Sequence, residues 1–234
     1  MSDKPKFAFT AAHVVAMQIV EALEPGCERI VIAGSLRRCE KTVGDIEIVY
    51  VPRFVDGTPA GELVERSIDL SIGKIWNLID VGVLVRRQNT NGSDTFGPRN
   101  KLMRHVQSQI PVDLFATDER SWFNYLVCRT GPAAFNIRVA NRARELGWKW
   151  HPYDRGFSRV RPGSTVIEWQ VIRSEEMLFE FLGWQYCQPW ERAAGNSPVS
   201  ATRGSEEKTG VEAQSAKAEP ATQKPGLEAG RAHA

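Results

Sequence analysis

The sequence predicts an α+β fold in two lobes, followed by a disordered tail. Three observations carry the prediction. Apolar runs of strand length alternate with helical periodicity through residue 117. Past Asp118 a helical stretch, three short strand-like runs and a last helix make a second, smaller unit. From Ala193 to Ala234 the composition turns to Ala, Gly, Pro, Ser, Thr, Glu, Gln and Lys, with Val199, Val211 and Leu227 the only large apolar residues. Five basic and five acidic residues cancel there, and such a segment cannot bury enough surface to offset its ordering entropy. The expected units are therefore 1–117, 118–192 and 193–234.

In chain order, "TAAHVVAMQIVEALEPG" reads as a helix, with Thr10 as its cap and Glu24-Pro25-Gly26 as its stop. "RIVIAGS" is a short apolar strand, and "DIEIVYV" a second one starting at Asp45. "ELVERSIDLSIGKIWNLIDVG" has helical texture, weakened by Gly73. "VGVLVRRQ", "KLMRHVQ" and "IPVDLFA" follow as strands, with "NTNGSDTFGP" as a loop. Gly131-Pro132 opens the next helix, because proline at the first helical position loses nothing, and Gly147 closes it. "WKWHPY", "FSRVRP" and "TVIEWQVI" are three strands, the first two joined by a turn at Asp154-Arg155-Gly156. Ser174 caps "EEMLFEFL", which Gly183 ends.

Composition removes several function classes. No apolar run is long enough to cross a bilayer, and "MSDKPKFAFT" lacks the apolar core of a secretory signal. A cytoplasmic location with no membrane partner is the expectation. Cys27, Cys39, Cys128 and Cys187 have neither CxxC nor Cys/His ligand spacing, which reads as free thiols. The formal net charge is only +2, but between Arg129 and Arg161 eight Lys/Arg face two acids. That stretch is either a phosphate-facing surface or a solvated face. Trp148, Trp150, Trp169 and Trp184 read as core of the second lobe.

The chemistry concentrates in "GSLRRCEKTVGDIEIV", Gly34 to Val49. Residues i and i+2 of a strand share a face, so Asp45 and Glu47 project side by side. Two carboxylates that close repel unless a proton or cation lies between them. A hard divalent ion accepts such oxygens together with water and phosphate. Gly34-Ser35 after an apolar strand lets backbone approach a ligand, and the exposed N–H groups and hydroxyl suit a phosphate. Arg37 and Arg38 add positive charge. No G-x-x-x-x-G-K-[ST] run occurs, so this is not a P-loop.

"GSLRRCEKTVGDIE" resembles the catalytic motif of the X-family DNA polymerases, the DNA polymerase beta group of nucleotidyltransferases. Its Gly-Ser, Arg-Arg and Gly-Asp elements match without a gap from Gly34 to Asp45. The resemblance raises Asp113 in "IPVDLF" to the third carboxylate. "RTGPAAFNIRVANRARELGW" resembles the family's thumb segment, and "LFEFLGWQYCQPWER" its closing helix. It covers roughly Thr10 to Arg192, as a minimal palm (1–117) and thumb (118–192) without lyase and fingers domains.

What the resemblance implies is metal-dependent nucleotidyl transfer. A primer 3′-hydroxyl attacks the α-phosphate of a nucleoside triphosphate and releases pyrophosphate, in templated gap-filling repair by a monomeric, phage-type enzyme. Asp45, Glu47 and Asp113 would hold two Mg²⁺ ions. Gly34, Ser35, Arg38 and Gly44 would cradle the triphosphate, and Gly131 and Asn136 would complete the nucleotide pocket. Arg138 and Arg142, at i and i+4, would contact the backbone of a DNA primer–template or gapped duplex.

Three departures qualify the implication. Glu47 stands where the family has aspartate, which moves a carboxylate by on the order of 1.5 Å and favours the more permissive Mn²⁺. Cys128-Arg129 replaces the aromatic pair that selects deoxyribose over ribose, and Ala140 replaces a template-checking arginine. Two alternatives stay open: transfer to a small molecule, and a catalytically weak DNA-binding relative of the polymerases.

Overall fold

In the computed structural model, which describes residues 5–58, 64–161 and 163–192, a two-residue strand β1 (Phe7–Ala8) leads into helix α1 (Phe9–Leu23). The buried residues of α1, Ala12, Val15, Ala16, Ile19 and Leu23, recur at helical spacing and form one apolar stripe. Thr10 is not its cap. The helix begins at Phe9 behind Ala8, because Lys41 O takes the Phe9 N–H at 3.1 Å and satisfies a first-turn donor from outside.

Strand β2 (Cys27–Ile32) runs into a one-turn helix α2 (Gly34–Arg37), and β3 (Thr42–Val43) pairs back onto β1. Strand β4 (Ile46–Pro52) starts one residue after Asp45. The segment expected to be one helix divides. After the undescribed residues 59–63, Arg66–Asp69 forms strand β6 and pairs antiparallel with β5 (Phe54–Gly57). Helix α3 (Leu70–Asp80) starts only where Asp69 can accept from Ser71 N at 2.8 Å. Gly73 meets nothing within 4 Å of a built Cβ, so it does not interrupt α3.

Strands β7 (Leu84–Arg86), β8 (Asn100–His105) and β9 (Pro111–Ala116) complete a five-stranded sheet in the order β2-β4-β9-β8-β7. The β4–β9 pair is parallel and the others are antiparallel, which makes the sheet mixed. Helices α1 and α3 pack on it around Ile19, Leu23, Ile48, Ile75 and Leu114, all buried.

Helix α4 (Trp122–Thr130) was not anticipated as a separate element. Pro132 is the residue before helix α5 (Ala133–Glu145), since its ψ of 173° keeps it extended. Strands β10 (Lys149–His151), β11 (Gly156–Val160) and β12 (Ile167–Val171) form an antiparallel sheet. Helix α6 (Glu175–Phe181) follows, with Ser174 Oγ accepting from Met177 N at 3.0 Å. A second core, with Phe135, Val139, Phe157 and Phe179 at its centre, lies between these elements, and Trp148, Trp150 and Trp184 pack into it. A third small core, including Ala33, Val49, Phe115, Trp122 and Leu126, joins the sheet to α4.

The architecture is thus α+β with a mixed sheet. All four cysteines are free, Cys27 buried and Cys39 exposed. Among the described residues no helix is long and apolar enough to cross a membrane. The tail expected to be disordered, 193–234, lies outside the described residues.

Candidate functional site

The parallel β4–β9 pair sets the site. Glu47 and Asp113 occupy facing positions in its register, and Asp45 stands just before β4 on the same side of the sheet end. β2 delivers the Gly-Ser turn to that end, where Ala33 N donates to Glu47 O at 2.8 Å. Gly34 turns the chain with a φ of +60°, a region in which a side chain is strained. A Cβ there would overlap Glu47 Oε2 and lie 3.0 Å from Glu47 Cδ. The glutamate's extra methylene therefore carries its carboxylate onto the Gly34 turn.

Electrostatics follow from this crowding. Burial pushes the Glu47 carboxyl up to about 8, the Asp45 charge adds to the effect, and Arg129, Asp113 and Arg38 act with smaller weight. Burial also raises Asp113, opposed by Arg87 and reinforced by Asp45. Arg87 donates to Asp113 Oδ1 through Nη2 and to Met103 O through Nε at 3.1 Å. Among the described residues no group of three or more His, Cys, Asp and Glu side chains converges as a ready metal cage. The Asp45 charge acts on both neighbours in one direction, raising Glu47 and Asp113 alike.

The segment from Thr130 onward packs against the same turn. Arg38 Nη1 donates to Thr130 O, and Arg37 Nη1 donates to Thr130 Oγ1 at 2.7 Å. Arg37 Nη2 also pairs with Glu175 Oε1 at 2.5 Å, and Glu175 Oε2 pairs with Arg192 Nη2 at 2.6 Å. Gly131 follows with a φ of +59°, and a Cβ on it would lie 3.6 Å from Arg38 Nη1. Asn136 Nδ2 donates to Cys128 O at 2.8 Å and leaves its buried Oδ1 without a hydrogen bond. Arg129 lies 3.5 Å above the Phe115 ring, between Tyr125 and Tyr153.

The turn and the Thr130-Gly131 segment thus come together through Arg37, Arg38 and Gly131, with Asn136 bonded inside its own segment and Ser35 half-buried inside α2. Gly44 is not sterically required, since a Cβ there would meet nothing nearer than Lys6 Nζ at 4.0 Å. Arg142 is engaged within the fold, donating to Leu182 O at 3.0 Å and pairing with Glu145 at 3.0 Å. Arg138 keeps Nε and Nη2 buried without partners. Sequence reading missed Arg87, whose only local sign was a charged pair ending an apolar run, and it missed the Glu175–Arg192 pair.

Residues 125–193 match the family model for the DNA polymerase beta thumb. The matched segment starts inside α4 and takes in α5, the three-stranded sheet and α6. It makes that part of the chain similar to the thumb of a polymerase of the beta type. No curated protein matches the chain.

Proposed function

We propose that the chain is a metal-dependent nucleotidyltransferase that extends a DNA primer in templated gap filling. One observation carries this reading: the Gly34 turn, which touches Glu47 of the Glu47–Asp113 pair, is bonded through Arg38 to Thr130 O of a segment similar to a polymerase thumb. The 3′-oxygen forms a bond to the α-phosphorus of a nucleoside triphosphate. The bond from that phosphorus to pyrophosphate breaks, and the hydroxyl proton passes to solvent.

Asp45, Glu47 and Asp113 would hold two divalent ions, Mg²⁺ or the more permissive Mn²⁺. Bound there, the metal supplies charge neutralisation at the attacking and leaving oxygens. The protein's own part is positioning. Gly34 and Ser35 bring backbone close to the triphosphate, and Arg38, anchored on Thr130 O, holds positive charge beside it. Gly131 leaves room for the nucleotide, and the unpartnered Asn136 Oδ1 is an acceptor for it. Arg87 restrains Asp113 from its far side.

Primer extension tests the reading. The full chain is given a labelled one-nucleotide-gapped duplex, each dNTP and NTP, and either Mg²⁺ or Mn²⁺. Templated extension by the wild type, lost in Asp113→Ala with the fold retained, is the expected result. Undiminished extension by Asp113→Ala overturns it. The contact of Glu47 with the Gly34 turn favours a second reading, a DNA-binding relative without turnover, which predicts binding and no extension under any condition.

A further inference from the structure

At the end of the central sheet opposite the acids, four arginines line one open groove of about 530 Å³. Arg29 lies on β2, Arg120 just before α4, Arg155 in the β10–β11 turn, and Arg173 just after β12. Glu119 pairs with Arg29 at 3.1 Å. Among the described residues no carboxylate pairs with Arg120, Arg155 or Arg173. The groove thus holds three cations in excess of its acids.

Register separates this place from the acid site. Arg29 pairs with Val51, four residues along β4 from Glu47, which is about 13 Å of strand. Helix α4 gives the same spacing, since Phe123 in the groove lies seven residues before Thr130, about 10 Å of helix.

Hydrogen bonds tie the walls of the groove together. Fully buried Asn124 donates to His151 O and Asp154 O, both at 2.7 Å, and accepts from Trp150 Nε1 at 2.7 Å. These bonds fasten α4, and with it Phe123, to the turn that carries Arg155. Ile172 N donates to Arg155 O at 2.9 Å. Gly156, with a φ of +142°, lies so near that a Cβ would stand 3.0 Å from Ile172 Cγ1. Arg155 and Arg173 are therefore held along one rim, with the Arg155 guanidinium 4.3 Å over the Trp169 ring.

The geometry points to a second anion site, which takes the backbone phosphates of a nucleic-acid strand away from the acids. Like charges gathered on a fixed frame repel until an anion joins them, and planar guanidinium forks match phosphate oxygens. Phe123 in the lining adds ring surface for sugars and bases. A separation of about 10 to 13 Å equals about three to four base-pair rises, within one bound duplex. The anion site stands on the groove alone, whereas the choice of nucleic acid as its ligand rests on the function proposed above.

The test is fluorescence anisotropy of a labelled DNA duplex with the full chain across a series of KCl concentrations. The exposed pair Arg120→Ala/Arg173→Ala is compared with wild type and with the triple variant that adds Arg155→Ala. The triple variant is expected to lose about tenfold in affinity and to flatten the salt slope by about 1 to 2, with the double variant between it and wild type. Wild-type affinity and slope in the triple variant, with the same melting temperature, overturn the site. Displacement of the duplex by poly-L-glutamate at equal charge, from wild type but not from the triple variant, overturns the nucleic-acid assignment. If the arginine variants weaken binding while primer extension fails, the groove stands and only the catalytic reading falls.

Discussion

Gly34 and Glu47 share one small volume. The left-handed turn at Gly34 leaves no room for a Cβ, because Glu47 Oε2 already occupies that space. Glu47 is therefore matched to the turn it touches. Gly34→Ala should destabilise the protein by at least about 2 kcal/mol, from the unfavourable backbone region and the overlap together. Adding Glu47→Asp withdraws the carboxylate and should return about 1 kcal/mol of that loss. A double-mutant cycle by urea denaturation measures this coupling, and strict additivity refutes it.

Stability should fall as pH rises. The Glu47 carboxyl is raised from an ordinary 4.5 to about 8 in the fold, and Asp113 is raised in the same direction. The folded state therefore binds protons more tightly than the unfolded chain does. The stabilisation is complete below about pH 4.5 and is lost progressively as pH climbs to about 8. Thermal melts in chelator should show this decline, and Glu47→Gln should flatten it. Added Mn²⁺ should raise the melting temperature most at the alkaline end, where the carboxylates are ionised.

Glu175 is the shared partner of Arg37 and of the fully buried Arg192. Removing it leaves an uncompensated charge in the second core beside Phe135 and Phe179. Glu175→Ala should cost about 3 to 5 kcal/mol in urea denaturation, and Glu175→Gln less. A loss below about 1 kcal/mol would mean that water reaches Arg192.

Asn124 makes three hydrogen bonds inside the fold. Asn124→Leu keeps the bulk but strands the Asp154 carbonyl and the Trp150 N–H, while His151 O keeps the Asp154 N–H at 3.1 Å, so a loss of about 2 to 3 kcal/mol is expected in the same assay. A change within about 0.5 kcal/mol would show that the turn relaxes to water.

Much of the site was legible because its signals are local. The Gly34–Asp45 spacing and the alternation from Asp45 to Glu47 lie within one turn and one strand. The Gly147 end of α5 and the Ser174 cap were readable for the same reason. What stayed hidden depends on pairing between distant segments. Strands β5 and β6 carry little apolar pattern, so only their mutual register makes them strands. Arg87 acquires its role from Asp113, two strands away in the sheet order. Arg142 read as a phosphate contact because helical spacing shows which face it shares, but not that Leu182 O lies within its reach.

The parallel rung between Glu47 and Asp113 also bears on the order in which the chain assembles. The antiparallel β8–β9 pair closes over a short loop, whereas the β4–β9 rung must bring together segments separated by α3 and four strands. Loop-closure entropy makes such non-local pairing slow relative to hairpins and helices. In refolding experiments the far-ultraviolet helical signal should therefore return first. Melting behaviour that responds to added divalent ions should recover last, because the acid set does not exist until that rung is in place.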